Sequence, residues 1–168
     1  MPTTTTPAEK HQERWQKIVE DPLLSELPYK VETNRRGQIV LSPHTTLHSR
    51  QQKRVMKHLD ELLSSGEAFQ EWPIATAGGT RQADVIWASD ERLDEMDETG
   101  DPPTLAPEIC VEVMSDSNDW EEMDEKRALY REAGAEEVWV VATDGSVRFF
   151  ADDDLEHSVL APDFPSSI

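Results

Sequence analysis

The chain predicts an α/β fold, a mixed central β-sheet flanked by two helices, and three observations carry that prediction. Apolar residues recur at helical spacing over 45–64 and again over 115–133. Strand patterns lie between and after them, in "AFQEWPIATA", "QADVIWAS", "EICVEVM", "EVWVVA" and "VRFF". The 168 residues suffice for one hydrophobic core but are marginal for two, so we expect a single domain over 1–168.

Taken in order, "MPTTTTP" reads as a flexible tail, 1–7, and 8–20 as a helix turning Trp15, Ile18 and Val19 inward. "YKVETNRRGQIVLSP" reads as a hairpin with strands 29–33 and 38–41 and a turn at 34–37. The helix over 45–64 buries Val55, Met56, Leu59, Leu62 and Leu63. Its opposite face carries Arg50, Lys53, Arg54 and Lys57 at the i, i+3, i+4, i+7 spacing that gathers charges into one stripe. A strand interrupted by Pro73, the turn "GGT" and a second strand follow. Residues 90–107, acidic and with three prolines, read as an exposed loop. The second helix, over 115–133, ends at Gly134, a ready left-handed cap, and carries Trp120, Met123, Leu129, Tyr130 and Ala133 on one side. Asp144-Gly145 marks a type I′ hairpin, and the C-terminal stretch holds a short strand at 158–160.

Composition bounds the function. A formal net charge of −19 opposes approach to a polyanion, but the charge is segregated. Residues 90–125 hold fifteen carboxylates against one Arg, whereas 30–57 hold seven Lys/Arg against one Glu. Such asymmetry marks either a local polyanion-binding face or two solvated surfaces. Cys110 is the one cysteine, which excludes an intrachain disulfide and a cysteine-built zinc site and fits a reducing cytoplasm. With no long apolar run and no leader pattern at the start, we expect a cytoplasmic protein with no membrane partner.

Two charges interrupt the apolar patterns. In "EICVEVM" side chains alternate, so Glu112 shares a face with Cys110 and Met114; either that face is wet or the carboxylate meets a cation or donors inside. Lys126 falls within the apolar arc of the second helix, so it either snorkels outward or projects onto the sheet. Asp84 shares a strand face with Ile86, although Asp is a poor strand former; it is either a turn-capping Asp or a third inward charge. Paired carboxylates suit a hard divalent cation such as Mg²⁺, and a nearby ammonium suits a phosphoryl oxygen.

The order of "VETNRRGQIVLSP", a helix opening with His48, "ADVIWAS", "PEICVEVMSDSN" and "EKRALYREAGAEEVWVV" resembles the Uma-two restriction endonuclease family of the PD-(D/E)XK nuclease superfamily, over a core of about 29–150. The resemblance implies a restriction-endonuclease-like fold and a metal-dependent DNA endonuclease hydrolysing phosphodiester bonds. It implies Mg²⁺ (or Mn²⁺) held by Asp84, Glu112 and the main-chain carbonyl of Val113, with Lys126 catalytic. Glu32 and His48 match auxiliary family positions, and His48 is equally readable as a core histidine. Ala83 stands where the superfamily name calls for Pro, and Met114 where it calls for Lys; the family moves that Lys to the helix, as Lys126 satisfies. The basic stripe Arg50, Lys53, Arg54, Lys57 is a candidate for the DNA backbone, and a homodimer would suit double-strand cutting. The alternatives are an inactive nuclease-fold protein serving as a binding or homo-oligomeric assembly module, and an acidic structural protein in which Glu112 and Lys126 form a buried ion pair.

Overall fold

The structure, a computed structural model, describes residues 4–168. Helix α1 (Pro7–Val19) starts earlier than expected, because the Thr6 side chain accepts from the Glu9 N–H and Pro7 takes a first-turn position that needs no N–H. Of the expected tail, 1–3 lie outside the described residues. Trp15 and Ile18 are buried, but Val19, at the helix end, is 54% exposed and borders an open cavity. A four-residue helix α2 (Pro22–Ser25) leads into the antiparallel ribbon β1 (Tyr29–Thr33) and β2 (Ile39–Pro43). Helix α3 (Thr46–Leu62) buries Val55 and Leu59, half-buries Met56 and Leu63, and leaves Leu62 exposed at its end.

The main sheet has the order β3-β4-β5-β6-β7-β8. Its strands are β3 (Gly66–Thr76), β4 (Gly79–Ser89), β5 (Ile109–Val113), β6 (Glu137–Val141), β7 (Val147–Phe150) and β8 (Asp154–Leu155). Only β5 and β6 pair in parallel, joined through α5 (Trp120–Glu132); the other neighbours are antiparallel. Alternation along β4 and β5 divides the core. Val85, Trp87, Ile109, Val111 and Val113 pack with Val55, Leu59 and Phe164 on one face, whereas Ile86, Ala88 and Cys110 pack with Met96, Tyr130 and Val138 on the other. Among the described residues no helix is long and apolar enough to cross a membrane.

Several expectations are corrected. The stretch 90–107 is not all loop: α4 (Asp90–Glu98) is capped by Ser89, whose hydroxyl accepts from the Arg92 N–H, and it buries Met96. With one buried apolar residue it shows no stripe, yet its Ser cap and first-turn acids are a helix start. Strand β3 runs through Pro73, which sits on the sheet edge where a missing N–H breaks no ladder bond. Helix α5 starts at Trp120 because Asp119 caps it, and the preceding Ser115 N–H is held by Asn118 Oδ1. Trp120 is 37% exposed, beneath the Arg148 guanidinium, while the Gly134 cap forms with φ 112°. At 142–146 only Gly145 has positive φ, so the hairpin turn is not type I′, which needs two such residues. Residues 158–160 form no strand, because their donors are taken by the Glu137 carboxylate.

The sheet also opens where the charges gather. Strands β4 and β5 pair only at Val85–Trp87, then splay apart, leaving one flank of 79–84 without a ladder partner. Side chains of β1 cover that flank: Thr33 Oγ1 accepts from the Thr80 N–H at 2.8 Å and Glu32 Oε2 from the Gln82 N–H at 2.8 Å. Gly79 permits the approach, since a Cβ there would lie 2.1 Å from the Thr33 carbonyl.

Candidate active site

Asp84 is the residue at the fork. The register would set it opposite Glu112 on β5, but the ladder ends at Val85↔Val111. On the β3 side the pairing is also interrupted, between Gln70↔Val85 and Trp72↔Ala83, where Glu71 adopts φ 52°. The freed Asp84 carbonyl is taken by Gln52 Nε2 of α3 at 2.6 Å, and its carboxylate Oδ2 accepts from the Val113 N–H at 2.8 Å. An acid that would weaken a regular strand is thus fixed by partners from two other elements, α3 and β5.

Around Asp84 the structure gathers Glu32, His48, Glu112 and Lys126, all buried. Glu112 and Lys126 are each 2% exposed, so the wet-face and snorkelling alternatives do not hold. Lys126 Nζ donates to Glu32 Oε1 at 3.0 Å and lies 3.4 Å from Glu112 Oε1. His48 Nε2 lies 3.3 Å from Asp84 Oδ2, while its Nδ1 is buried with no hydrogen-bond partner among the described residues. Val113 lines the same narrow cleft, of about 20 Å³, with Ser115, Asn118 and Glu122 at its rim. Arg50, Lys53, Arg54 and Lys57 do not join the cluster; they are exposed on α3, and Lys57 pairs with Glu61 at 4.0 Å. The same helix turns His48 and Gln52 inward, so it links stripe and cleft.

Two participants were not anticipated. Lys30 Nζ donates to Asp84 Oδ1 at 2.9 Å and to Glu112 Oε2 at 3.3 Å, bridging the two carboxylates. Tyr130 OH donates to Glu112 Oε1 at 2.6 Å. A signal for each was present. Lys30 precedes Glu32 by two on β1 and so shares its inward face, and Tyr130 follows Lys126 by four on α5.

The electrostatics follow from this wiring. Burial pushes the Glu112 carboxyl up, Lys126 and Lys30 pull it down, and Asp84 and Glu32 push again, leaving it at about 7. Burial would also raise Asp84, but Lys30 and the His48 hydrogen bond hold it well below the usual carboxylate range. Glu32 is likewise lowered, burial being outweighed by Lys30 and Lys126. Against burial, Asp84, Glu112 and Glu32 raise Lys30 well above its ordinary value, so it is an ammonium. Burial would lower His48, but its hydrogen bond with Asp84 and the Asp84 charge raise it above its ordinary value.

As a metal site, the donor chemistry fits: the Asp84 and Glu112 carboxylates are hard oxygen ligands of the kind Mg²⁺ takes with water. A cation already bridges them in the form of the Lys30 ammonium. Among the described residues no three His, Cys, Asp or Glu side chains stand ready around a common point for a metal.

Comparison with known proteins agrees with the fold. The structure is similar to the crystal structure of "a putative nuclease belonging to DUF820" from Anabaena variabilis, with a TM-score of 0.66 and 13% identity, covering 85% of this chain and 91% of that one. The fold is therefore restriction-endonuclease-like, a six-stranded mixed sheet with flanking helices. No curated protein gives a significant match. The sequence profile of the family Uma2, described as "Putative restriction endonuclease", matches over residues 15–160, and by that match the chain belongs to the Uma2 family.

Proposed function

We propose that the chain is a divalent-metal-dependent DNA endonuclease that hydrolyses phosphodiester bonds. The observation that carries this reading is the meeting, at the β4–β5 fork, of Asp84 and Glu112 with the buried Lys126. Asp84, Glu112 and the Val113 carbonyl would hold Mg²⁺ or Mn²⁺, which would neutralise charge on a phosphoryl oxygen and acidify a water. Lys126, anchored by Glu32, would hold the nucleophile and face negative charge developing on the phosphoryl oxygens. Tyr130 fixes one oxygen of Glu112, leaving the other toward the cleft, and His48 with the Val113 N–H fixes Asp84. The stripe Arg50, Lys53, Arg54, Lys57 would lie along DNA phosphates, bringing the backbone to the helix that also borders the cleft. We place the activity in one cytoplasmic domain, with a homodimer as the arrangement suited to cutting both strands.

One observation favours a second reading. Lys30 satisfies both carboxylates with no metal, as it would in an inactive member of the fold serving as a binding or assembly module. Incubation of supercoiled plasmid with Mg²⁺ or Mn²⁺ separates the two. The nuclease reading expects nicking that chelator abolishes, and loss of nicking in Asp84→Asn and Lys126→Met. Absence of nicking by a folded wild type, with unchanged binding of DNA or of a second copy, decides for the module.

A further inference from the structure

Among the buried ionisable groups, Lys30 has no role in the chemistry proposed above, yet it holds the central place in the cleft. Its Nζ stands 2.9 Å from Asp84 Oδ1 and 3.3 Å from Glu112 Oε2, the two oxygens a metal would need. A Mg²⁺ ion sits about 2.0–2.1 Å from its oxygens, so it and the ammonium cannot share them.

We infer that Lys30 and the divalent ion exclude one another, so that metal binding swings Lys30 out of the cleft and Lys30 sets the site's metal affinity. This rests on the metal-site reading above. Two independent observations support it. The first is charge. Glu32, Asp84 and Glu112 already face the Lys30 and Lys126 ammonium groups, with His48 Nε2 3.3 Å from Asp84. Exchange of Lys30 for a divalent ion adds one positive charge to this buried cluster, whereas keeping both adds two.

The second is room. Lys30 lines not only the cleft but also a neighbouring cavity of about 260 Å³, bordered by Trp15, Leu24, Tyr29, His44 and Glu71. A lysine carries its charge on a flexible four-carbon stem, so the ammonium has a path between the two spaces. Glu71 offers the partner there. It holds the positive-φ break opposite Asp84, its carboxylate is partly exposed, and it lies 3.6 Å from His44. Lys30 thus has its inner position on Asp84 and Glu112, and an ammonium displaced from it would enter the cavity that Glu71 borders.

Calorimetric titration of Mn²⁺ into the full chain tests this. If the vacated state is a minor fraction of the metal-free protein, removing the ammonium strengthens apparent affinity by the inverse of that fraction, so Lys30→Met is expected to bind Mn²⁺ about tenfold or more tightly than wild type. Lys30→Arg, whose guanidinium fork suits a carboxylate pair, is expected to bind more weakly than wild type. Glu71→Gln, lacking the outer partner, is expected to weaken Mn²⁺ binding by a smaller factor. Equal or weaker affinity in Lys30→Met, or no Mn²⁺ binding by either protein, overturns the inference. Should Lys30→Met fail to fold without metal, Lys30→Arg decides, and affinity equal to or tighter than wild type overturns it. Plasmid cleavage on the same preparations keeps the two claims apart. Tighter Mn²⁺ binding in Lys30→Met with no cleavage by wild type removes the nuclease and leaves the exchange standing; cleavage by wild type with unchanged affinity in Lys30→Met removes the exchange alone.

Discussion

Two buried glutamates sit on neighbouring parallel strands, and their surroundings differ in kind. Glu137, at the start of β6, is 2% exposed and is met by neutral donors: Trp139 Nε1, Ser158 Oγ and the Val159 and Leu160 N–H groups, all within 3.1 Å. Glu112, on β5 and equally buried, is met by Lys30, Lys126 and Tyr130. Fixed dipoles hold the first carboxylate and pin the C-terminal segment to the sheet. Two ammonium groups and a phenol hold the second, and it is one of those ammonium groups, Lys30, that we infer to exchange with a metal ion. The difference separates a carboxylate that closes a fold from one whose partners are the charged groups of the proposed site.

The largest stability effect expected from breaking this contrast is at Lys126. Lys126→Met leaves three buried carboxylates around one ammonium and should cost about 3–5 kcal/mol, read from urea unfolding. Glu112→Gln, by contrast, leaves two carboxylates facing two ammonium groups, so it should fold near wild-type stability; a loss matching that of Lys126→Met would mean that the cluster is a structural ion pair. At the other glutamate, Glu137→Ala orphans donors in the tail clamp and should cost about 1–3 kcal/mol, with release of 158–168 to limited proteolysis.

A smaller effect sharpens the same comparison through pH. Because burial and its acidic neighbours push Glu112 from an ordinary 4.5 up to about 7 in the folded chain, its proton favours the folded state. That contribution is fully present below about pH 4.5 and is lost as pH rises through 7. Thermal melts from pH 5 to 8 should therefore show wild type losing stability relative to Glu112→Gln; a constant difference would contradict the site's electrostatics. The smallest effect concerns the exposed stripe. Neutralising Arg50 and Lys53 should leave folding unchanged and lower the salt slope of DNA binding by about one for each phosphate no longer neutralised.

Much of the candidate site was legible because its residues break local rules. Glu112 within a β-rich run, Asp84 on a strand face and Lys126 inside an apolar arc each violate a period, and the periods fix the direction in which each points. Lys30 was obscured by ordinary behaviour: a Lys near the start of a hairpin strand reads as solvated, and only the inward placement of Glu32 two residues on turns it inside. Helix α4 was missed because it buries little beyond Met96, so periodicity had nothing to register, although its Ser89 cap was readable. The role of 158–160 was invisible for a different reason. Its partner, the Glu137 carboxylate, is twenty-one residues away, and no local pattern announces a segment held by one buried acid.

The most direct test is cleavage of supercoiled plasmid by wild type and Glu112→Gln side by side, in Mg²⁺ and in Mn²⁺, with both proteins shown folded by circular dichroism. Metal-dependent nicking by wild type, reduced about a hundredfold or more in Glu112→Gln, is the predicted result. Equal nicking by the two proteins, or none by a folded wild type in either metal, would contradict it.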